Sequence, residues 1–221
     1  MDRILNYLIV AGLILLAVVV GARMTFQSVP HRAVETARVE PKATPAPTPT
    51  PAPTPQPTKQ VDPENVLVLT LKDGPVEIEM LPLVAPNHVT RIKELVRQKF
   101  YDGLKFHRVI EGFMVQTGDP LGNGTGGSGK KLAAEFSSEK HTRGAVSMAR
   151  SNDPNSADSQ FFIVTADSLF LDRNYTVWGR VISGMEFVDK IKKGDANRNG
   201  LVIDPDTIVS MQMKADLTAG K

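Results

Sequence analysis

Between Pro41 and Pro57 the chain uses only Pro, Ala, Thr, Lys and Gln, and eight of its sixteen prolines fall in these seventeen positions. Proline lacks an amide proton and fixes φ, so a run with proline at nearly every second place enters neither a helix nor a sheet. It favours polyproline II instead, extending about 50 Å at roughly 3.1 Å per residue. Whatever folds must fold on one side of this run or the other. The stretch reads as a spacer inside a linker spanning 24–61, with a docking strip for a proline-binding partner as its alternative.

On the amino-terminal side, Ile4 to Ala22 is nineteen residues without a charge, rich in Leu, Ile and Val. At about 1.5 Å per residue such a helix reaches roughly the hydrocarbon thickness of a bilayer. Residues 1–23 are therefore expected to form a transmembrane anchor through residues 4–22; a signal peptide is the alternative, because Val20-Gly21-Ala22 resembles a small-residue cleavage site. Arg23, Arg32 and Arg38 follow the span whereas only Arg3 precedes it, which by the positive-inside rule argues for a cytoplasmic domain. A domain tethered by a long spacer is, against that, the common design of an exported, anchored protein. The expectation is a single-pass protein of the inner (plasma) membrane, with its folded domain on the periplasmic (extracytoplasmic) side.

Residues 62–221 are enough for one globular domain. The chain carries 26 basic against 24 acidic residues and no block of either sign, so no nucleic-acid footprint is present. Cysteine is absent, which excludes disulfide frameworks, thiolate metal sites and cysteine nucleophiles. Val66 to Leu71 reads as a buried strand, Lys72-Asp73-Gly74-Pro75 as a turn, and Val76, Ile78 and Met80 alternate with Glu77 and Glu79 to complete a hairpin. After Pro86, Val89, Ile92, Leu95 and Val96 recur at helical spacing. Further strands are expected at Leu104 to Ile110, Met114 to Thr117, Ala145 to Ala149, Phe161 to Val164, Thr176 to Val181 and Ile208 to Met213, with a second helix marked by Met185, Phe187, Val188 and Ile191. About eight short strands and two helices predict a mainly β domain, a closed eight-stranded antiparallel barrel capped by two helices.

Three motifs point elsewhere and fail on context. Gly122 to Gly127 matches G-x-G-x-x-G and Gly124 to Lys130 most of a P-loop, but Lys131 stands where a P-loop needs Ser or Thr, and no βαβ unit surrounds it. Asp195, Asn197, Asn199, Gly200 and Asp206 sit at calcium-loop spacing, yet the twelfth position is Asp and a strand is expected where an EF-hand has its exiting helix. Ser147 with His141 or His107 suggests a hydrolytic triad, but no G-x-S-x-G elbow frames it. No metal site is expected.

The stretch Phe106 to Gln116, echoed by Ser159 to Ile163, offers a different chemistry. It pairs large apolar side chains with amide and guanidinium groups that are poor nucleophiles and bases. Alternation puts Met114 and Gln116 on one face of their strand, and Gln160 and Phe162 on one face of theirs. Arg108 lies midway along an otherwise apolar strand, where a core position would strip its guanidinium of water. This combination suits rotation about an X-Pro peptide bond. That rotation needs only a pocket for the ring, a cationic donor to the prolyl nitrogen and groups that hold the flanking backbone. No covalent step is required, hence no cofactor.

Phe106-His107-Arg108-Val109-Ile110, Gly112-Phe113-Met114-Val115-Gln116, Gly118-Asp119, Asn123 to Gly127, Ser147-Met148-Ala149 and Ser159-Gln160-Phe161-Phe162-Ile163 occur in that order. With these, the stretch Val66 to Met213 resembles the cyclophilins, peptidyl-prolyl cis-trans isomerases built on an eight-stranded barrel with two capping helices. The resemblance implies that Arg108 is the catalytic guanidinium and that Gln116 holds the substrate backbone. It places Phe113, Met114, Phe162 and Leu171 around the proline ring, and Gly124, Ala149, Arg150, Gln160, Phe170 and Tyr175 along the same groove. Phe170 and Tyr175 stand where many eukaryotic members carry Trp and His, a pairing that looks bacterial. Arg150 stands where the family often has Asn, which points to acidic substrates. The partners implied are proline-containing unfolded or extended polypeptides, handled by a monomer to assist protein folding. The alternative is a membrane-tethered binding module or chaperone that holds such chains without significant catalysis.

Overall fold

The computed structural model describes residues 61–218. The proposed anchor and most of the linker lie outside the described residues. Among the described residues no helix is long and apolar enough to cross a membrane.

The hairpin β1 (Val66–Leu71) and β2 (Gly74–Met80) pairs Leu71 with Gly74, so only Lys72 and Asp73 make the turn. Leu67, Leu69 and Leu71 on one strand and Val76, Ile78 and Met80 on the other all point into the core, as their period of two requires. Helix α1 (Pro86–Arg97) starts on a proline whose missing N–H is not needed in the first turn, and buries Val89, Ile92, Leu95 and Val96. The strands β3 (Arg108–Ile110), β4 (Met114–Thr117), β5 (Ala145–Met148), β6 (Phe161–Val164), β7 (Val177–Ser183) and β8 (Ser210–Met213) complete one antiparallel sheet. Its order is β3-β4-β6-β5-β7-β2-β1-β8.

The sheet rolls up without closing, which corrects the closed barrel expected from the strand count. β3 and β8 are its two ends, and no ladder joins them. The seam is crossed by isolated backbone contacts: Lys105 bridges Thr207, and Phe106 N–H donates to Asp206 O at 2.9 Å. For the same reason β3 is shorter than the strand expected over Leu104 to Ile110, since Leu104 to His107 bond to a loop and not to a strand. The second helix, α2 (Met185–Val188), is a single turn. Past it the chain tightens to i→i−3 bonds, Lys190 to Phe187 O and Ile191 to Val188 O, so Ile191 is buried without a longer helix. A third short helix, α3 (Lys214–Thr218), follows β8 directly and was not expected.

Two apolar clusters occupy opposite faces of the same strands. The larger holds Val115, Val146, Met148, Phe161, Ile163 and Trp178 with the hairpin and α1. Within it Phe161 meets Tyr101 and Trp178 edge-on, each at 5.5 Å between ring centroids. The smaller holds Met114, Ala145, Phe162, Val164 and Leu171, flanked by Phe113, Ala149 and Tyr175. The smaller cluster underlies the functional site.

Candidate active site

The sheet register brings the site together. Arg108 pairs with Gln116, Gln116 with Phe162, and Phe162 with Ser147, so one cross-strand row runs over β3, β4, β6 and β5. Residues directly opposite share a face, and Arg108, Gln116 and Phe162 of this row line the floor of a groove of about 630 Å3, with Ser147 buried beyond them. Arg108, Phe113, Met114, Gln116, Gly124, Ala149, Arg150, Phe162, Phe170, Leu171 and Tyr175 all line it. Gln160 lies in an adjoining recess that shares Gln116, Gly124, Ala149 and Arg150 with the groove. The structure therefore places every residue assigned to the groove from the sequence along it or in its adjoining recess.

Arg108 is half-buried and enters no ion pair among the described residues. Its Nη1 donates to Gln116 Oε1 at 3.1 Å, its Nε to Asn199 O at 3.1 Å and its Nη2 to Asn199 Oδ1 at 2.9 Å. Burial pulls the guanidinium below its usual pKa, but an arginine so far above neutrality stays charged. All its acceptors are neutral, so it is oriented without being neutralised. Gln116 cannot turn its amide around, because Arg108 only donates. Its Nε2 then donates to Gln160 Oε1 at 2.9 Å, and Gln160 Nε2 donates to Gly124 O at 3.1 Å and Gly126 O at 2.8 Å. A continuous amide relay thus links Arg108 to the glycine loop.

That loop wraps a carboxylate. Asp119 accepts from the backbone N–H groups of Leu121 and Asn123 at 2.8 and 3.0 Å, and from Gly124. Burial works to raise this carboxyl, and the amides of Leu121, Gly124, Asn123 and Gly126 outweigh it, holding it below the usual range. A Cβ at Gly126 would lie 2.1 Å from Asp119 Oδ1, so the close approach needs glycine. The amides that a nucleotide phosphate would need are already used.

The other wall is the segment after β6, where Leu169–Leu171 forms a 3-10 turn. Phe170 is exposed and packs on Phe113 at 5.5 Å between centroids; Tyr175 meets Phe162 edge-on at 5.8 Å. Arg150 braces this wall. Its Nε and Nη2 both donate to Asn174 O, at 3.0 and 2.8 Å, its Nη1 donates to Ser151 O at 2.8 Å, and its guanidinium carbon sits 4.6 Å from the Tyr175 ring centroid. The fork is thus oriented by the protein's own carbonyls, all of them neutral acceptors.

Behind Phe162, Asp172, His141 and Ser147 stand in hydrogen-bond sequence: His141 Nδ1 is 3.1 Å from Asp172 Oδ1 and Nε2 is 3.1 Å from Ser147 Oγ. His141 and Ser147 are both fully buried, so no substrate carbonyl reaches the hydroxyl. This is packing for the groove wall and not a hydrolytic triad. The residues at calcium-loop spacing are engaged within the protein. Asp206 is bound by Lys72 Nζ and Lys192 N–H at 2.7 and 2.8 Å, and no cluster of three potential metal ligands occurs among the described residues.

Sequence reasoning assigned no groove role to five residues that line it, His107, Asn123, Arg198, Asn199 and Leu201. The Asn199-Gly200 pair carries a turn signal, but its place beside Arg108 depends on a contact across 91 positions.

A half-barrel bearing an apolar ring pocket beside an oriented, unneutralised guanidinium and a relay of amides defines a class: a non-covalent catalyst or receptor for proline-containing peptides. The comparisons sharpen this. The family model for the cyclophilin type peptidyl-prolyl cis-trans isomerase/CLD matches residues 66–213. A probable peptidyl-prolyl cis-trans isomerase of Brucella suis is 54% identical over 167 residues, covering 70% of this chain and 85% of that protein. A cyclophilin crystal structure from Hirschia baltica is 32% identical with TM-score 0.63, covering 71% of this chain and 76% of the other. A Cryptosporidium parvum cyclophilin type isomerase, crystallised in the presence of the dipeptide Ala-Pro, is 27% identical with TM-score 0.61, covering 67% and 98%. The chain belongs to the cyclophilin family and is a peptidyl-prolyl cis-trans isomerase.

Proposed function

We propose that X-Pro bonds of unfolded or extended polypeptides are rotated in the Arg108 groove, in service of protein folding and by a monomer. The observation that carries this reading is the geometry of Arg108, whose charge is held by neutral acceptors beside the apolar cup of Phe113, Met114, Phe162 and Leu171. The prolyl ring enters the cup. As the bond twists, the nitrogen pyramidalises and its lone pair leaves the amide resonance that sets a barrier of about 18–20 kcal/mol. The guanidinium donates to that lone pair and stabilises the twisted state more than either planar one, which is the condition for catalysis. Gln116 and Gln160 hold the flanking backbone with the donor and acceptor capacity left by their relay. No bond is made and no proton moves, so the reaction needs no cofactor.

The test is cis/trans exchange of an Ala-Pro peptide followed by NMR with the full chain and its Arg108→Ala variant. Exchange is expected to fall about a hundredfold in the variant, equivalent to roughly 3 kcal/mol of transition-state stabilisation. A peptide that binds both proteins while exchanging at its solution rate would refute catalysis at Arg108 and leave a tethered proline receptor.

We further propose that residues 4–22 anchor the protein in the inner membrane by a single pass, and that the spacer holds the catalytic domain on the periplasmic side. The uncharged run and the proline-rich stretch support this. Protease added to sealed right-side-out vesicles is expected to release a folded fragment; protection there, with digestion in inverted vesicles, would reverse the orientation.

A further inference from the structure

The Asp195–Asp206 loop, which resembles a calcium loop and binds no cation-ready cluster, has a clear architecture. Asp195 Oδ1 accepts from Asn197 N–H at 2.8 Å, and Asp195 O accepts from Arg198 N–H at 3.0 Å, closing a 3-10 turn, and from Gly200 N–H at 2.8 Å, which folds the chain back after it. The turn is fastened to β3 on both sides of one residue: Val109 N–H donates to Gly200 O at 2.8 Å, and Gly194 N–H donates to Val109 O at 3.0 Å. Gly200 lies against β3 so closely that a Cβ there would be 2.5 Å from Ile110 Cγ1. Asn199 is held in the left-handed conformation, φ 54° and ψ 36°, which asparagine adopts more readily than most residues. That conformation sends its carbonyl and its side-chain oxygen to the same guanidinium, on Nε and Nη2.

We infer that Asn199 is a positioning residue for catalysis: the loop is a neutral clamp that fixes the plane of the Arg108 guanidinium and leaves its charge intact. The inference rests on Arg108 being the catalytic cation. With Gln116 on Nη1, all three guanidinium nitrogens are fixed, and two of the five N–H bonds stay unused on a side chain that lines the groove. A free arginine samples many rotamers, and ordering it in advance removes that cost from the transition state. The choice of asparagine matters. An aspartate would offer the same oxygen but would place a carboxylate on the cation whose field the reaction uses.

Two variants of the full chain separate the roles. Asn199→Gly keeps the left-handed turn and the main-chain carbonyl and removes only the side-chain oxygen. Its kcat is expected to fall about five- to tenfold with peptide Kd within about twofold, because the lost interaction acts on the twisted state. Asn199→Asp keeps the geometry and is expected to lose more kcat than Asn199→Gly. The Arg108 Nη2 proton resonance should be sharp and slow to exchange in the parent and in Asn199→Asp, and broadened or fast in Asn199→Gly, with the Nε–H on the retained carbonyl as the internal control. Unchanged kcat in both variants would overturn the clamp, as would a kcat loss that merely follows a lowered unfolding midpoint. If the parent itself shows no Arg108-dependent exchange, the catalytic reading has failed. The clamp is then judged by the Nη2 proton resonance alone, and an identical signal in parent and Asn199→Gly overturns it.

Discussion

His141 is buried behind Phe162, and burial pushes its pKa down although Asp172 beside it pulls the other way. His107 is also buried and lowered for the same first reason. Each therefore stays neutral in the fold at pH values where the unfolded chain takes up a proton, and stability rises with pH across that window. Going down in pH, each histidine costs about 1.4 kcal/mol per unit from roughly pH 6.5, its unfolded value, until its folded pKa is reached. Asp172 acts lower. The His141 backbone N–H and Lys140 hold it down at about 2, so its contribution is complete above its ordinary value and fades as pH falls toward 2. Urea titrations between pH 7 and 5 are expected to give a falling unfolding free energy, and His141→Gln a shallower slope; stability independent of pH in this range would refute the assignment. What was legible at this scale was chemistry: Arg108, Gln116 and Phe162 stand out because a guanidinium and an amide are odd neighbours for apolar strand residues. The bracing role of Arg150 was not legible, because its acceptors, Asn174 O and Ser151 O, come from turns whose geometry no local pattern encodes.

At the scale of elements, strands were readable where one face meets the core and the period of two is clean, as in the hairpin. β3 was overread because Leu104, Phe106 and Ile110 alternate as strand residues do, while the partner of Leu104 to His107 is a loop containing Pro205 and Asp206. Whether the rolled sheet closes depends on that partner. The absent ladder between β3 and β8 is a tertiary fact with no signature in either segment. The open seam also has a use. Because the Lys105 to Val109 edge is not filled by β8, the 194–201 loop can lie against it and reach Arg108. The same reasoning explains α2, whose apolar positions Met185 to Ile191 called for about two turns but whose last one, Ile191, is buried by a tightened bend.

For the whole molecule, the two clusters on opposite faces divide stability from function, and β6 carries both. Phe161 and Phe162 are neighbours in sequence, each buried, and they face different cores. Phe161 is enclosed by Tyr101 and Trp178, so truncation leaves a cavity that nothing can fill. A Phe→Ala change in such a site costs about 3–5 kcal/mol, a large share of the roughly 5–15 kcal/mol that holds a domain together. Phe162 packs on Tyr175 but opens on the groove, where water or the substrate can occupy the vacated space. Phe161→Ala is therefore expected to lower the urea midpoint severely while any protein still folded keeps its peptide affinity. Phe162→Ala should cost less stability and raise KM for an Ala-Pro peptide by about tenfold or more, the ring having lost part of its cup. Circular dichroism in urea and the NMR exchange assay, run on both variants, separate the two effects. Equal midpoint losses with equal KM changes would mean that the sheet transmits packing from one face to the other, and that the groove is not an independent layer on a stable half-barrel.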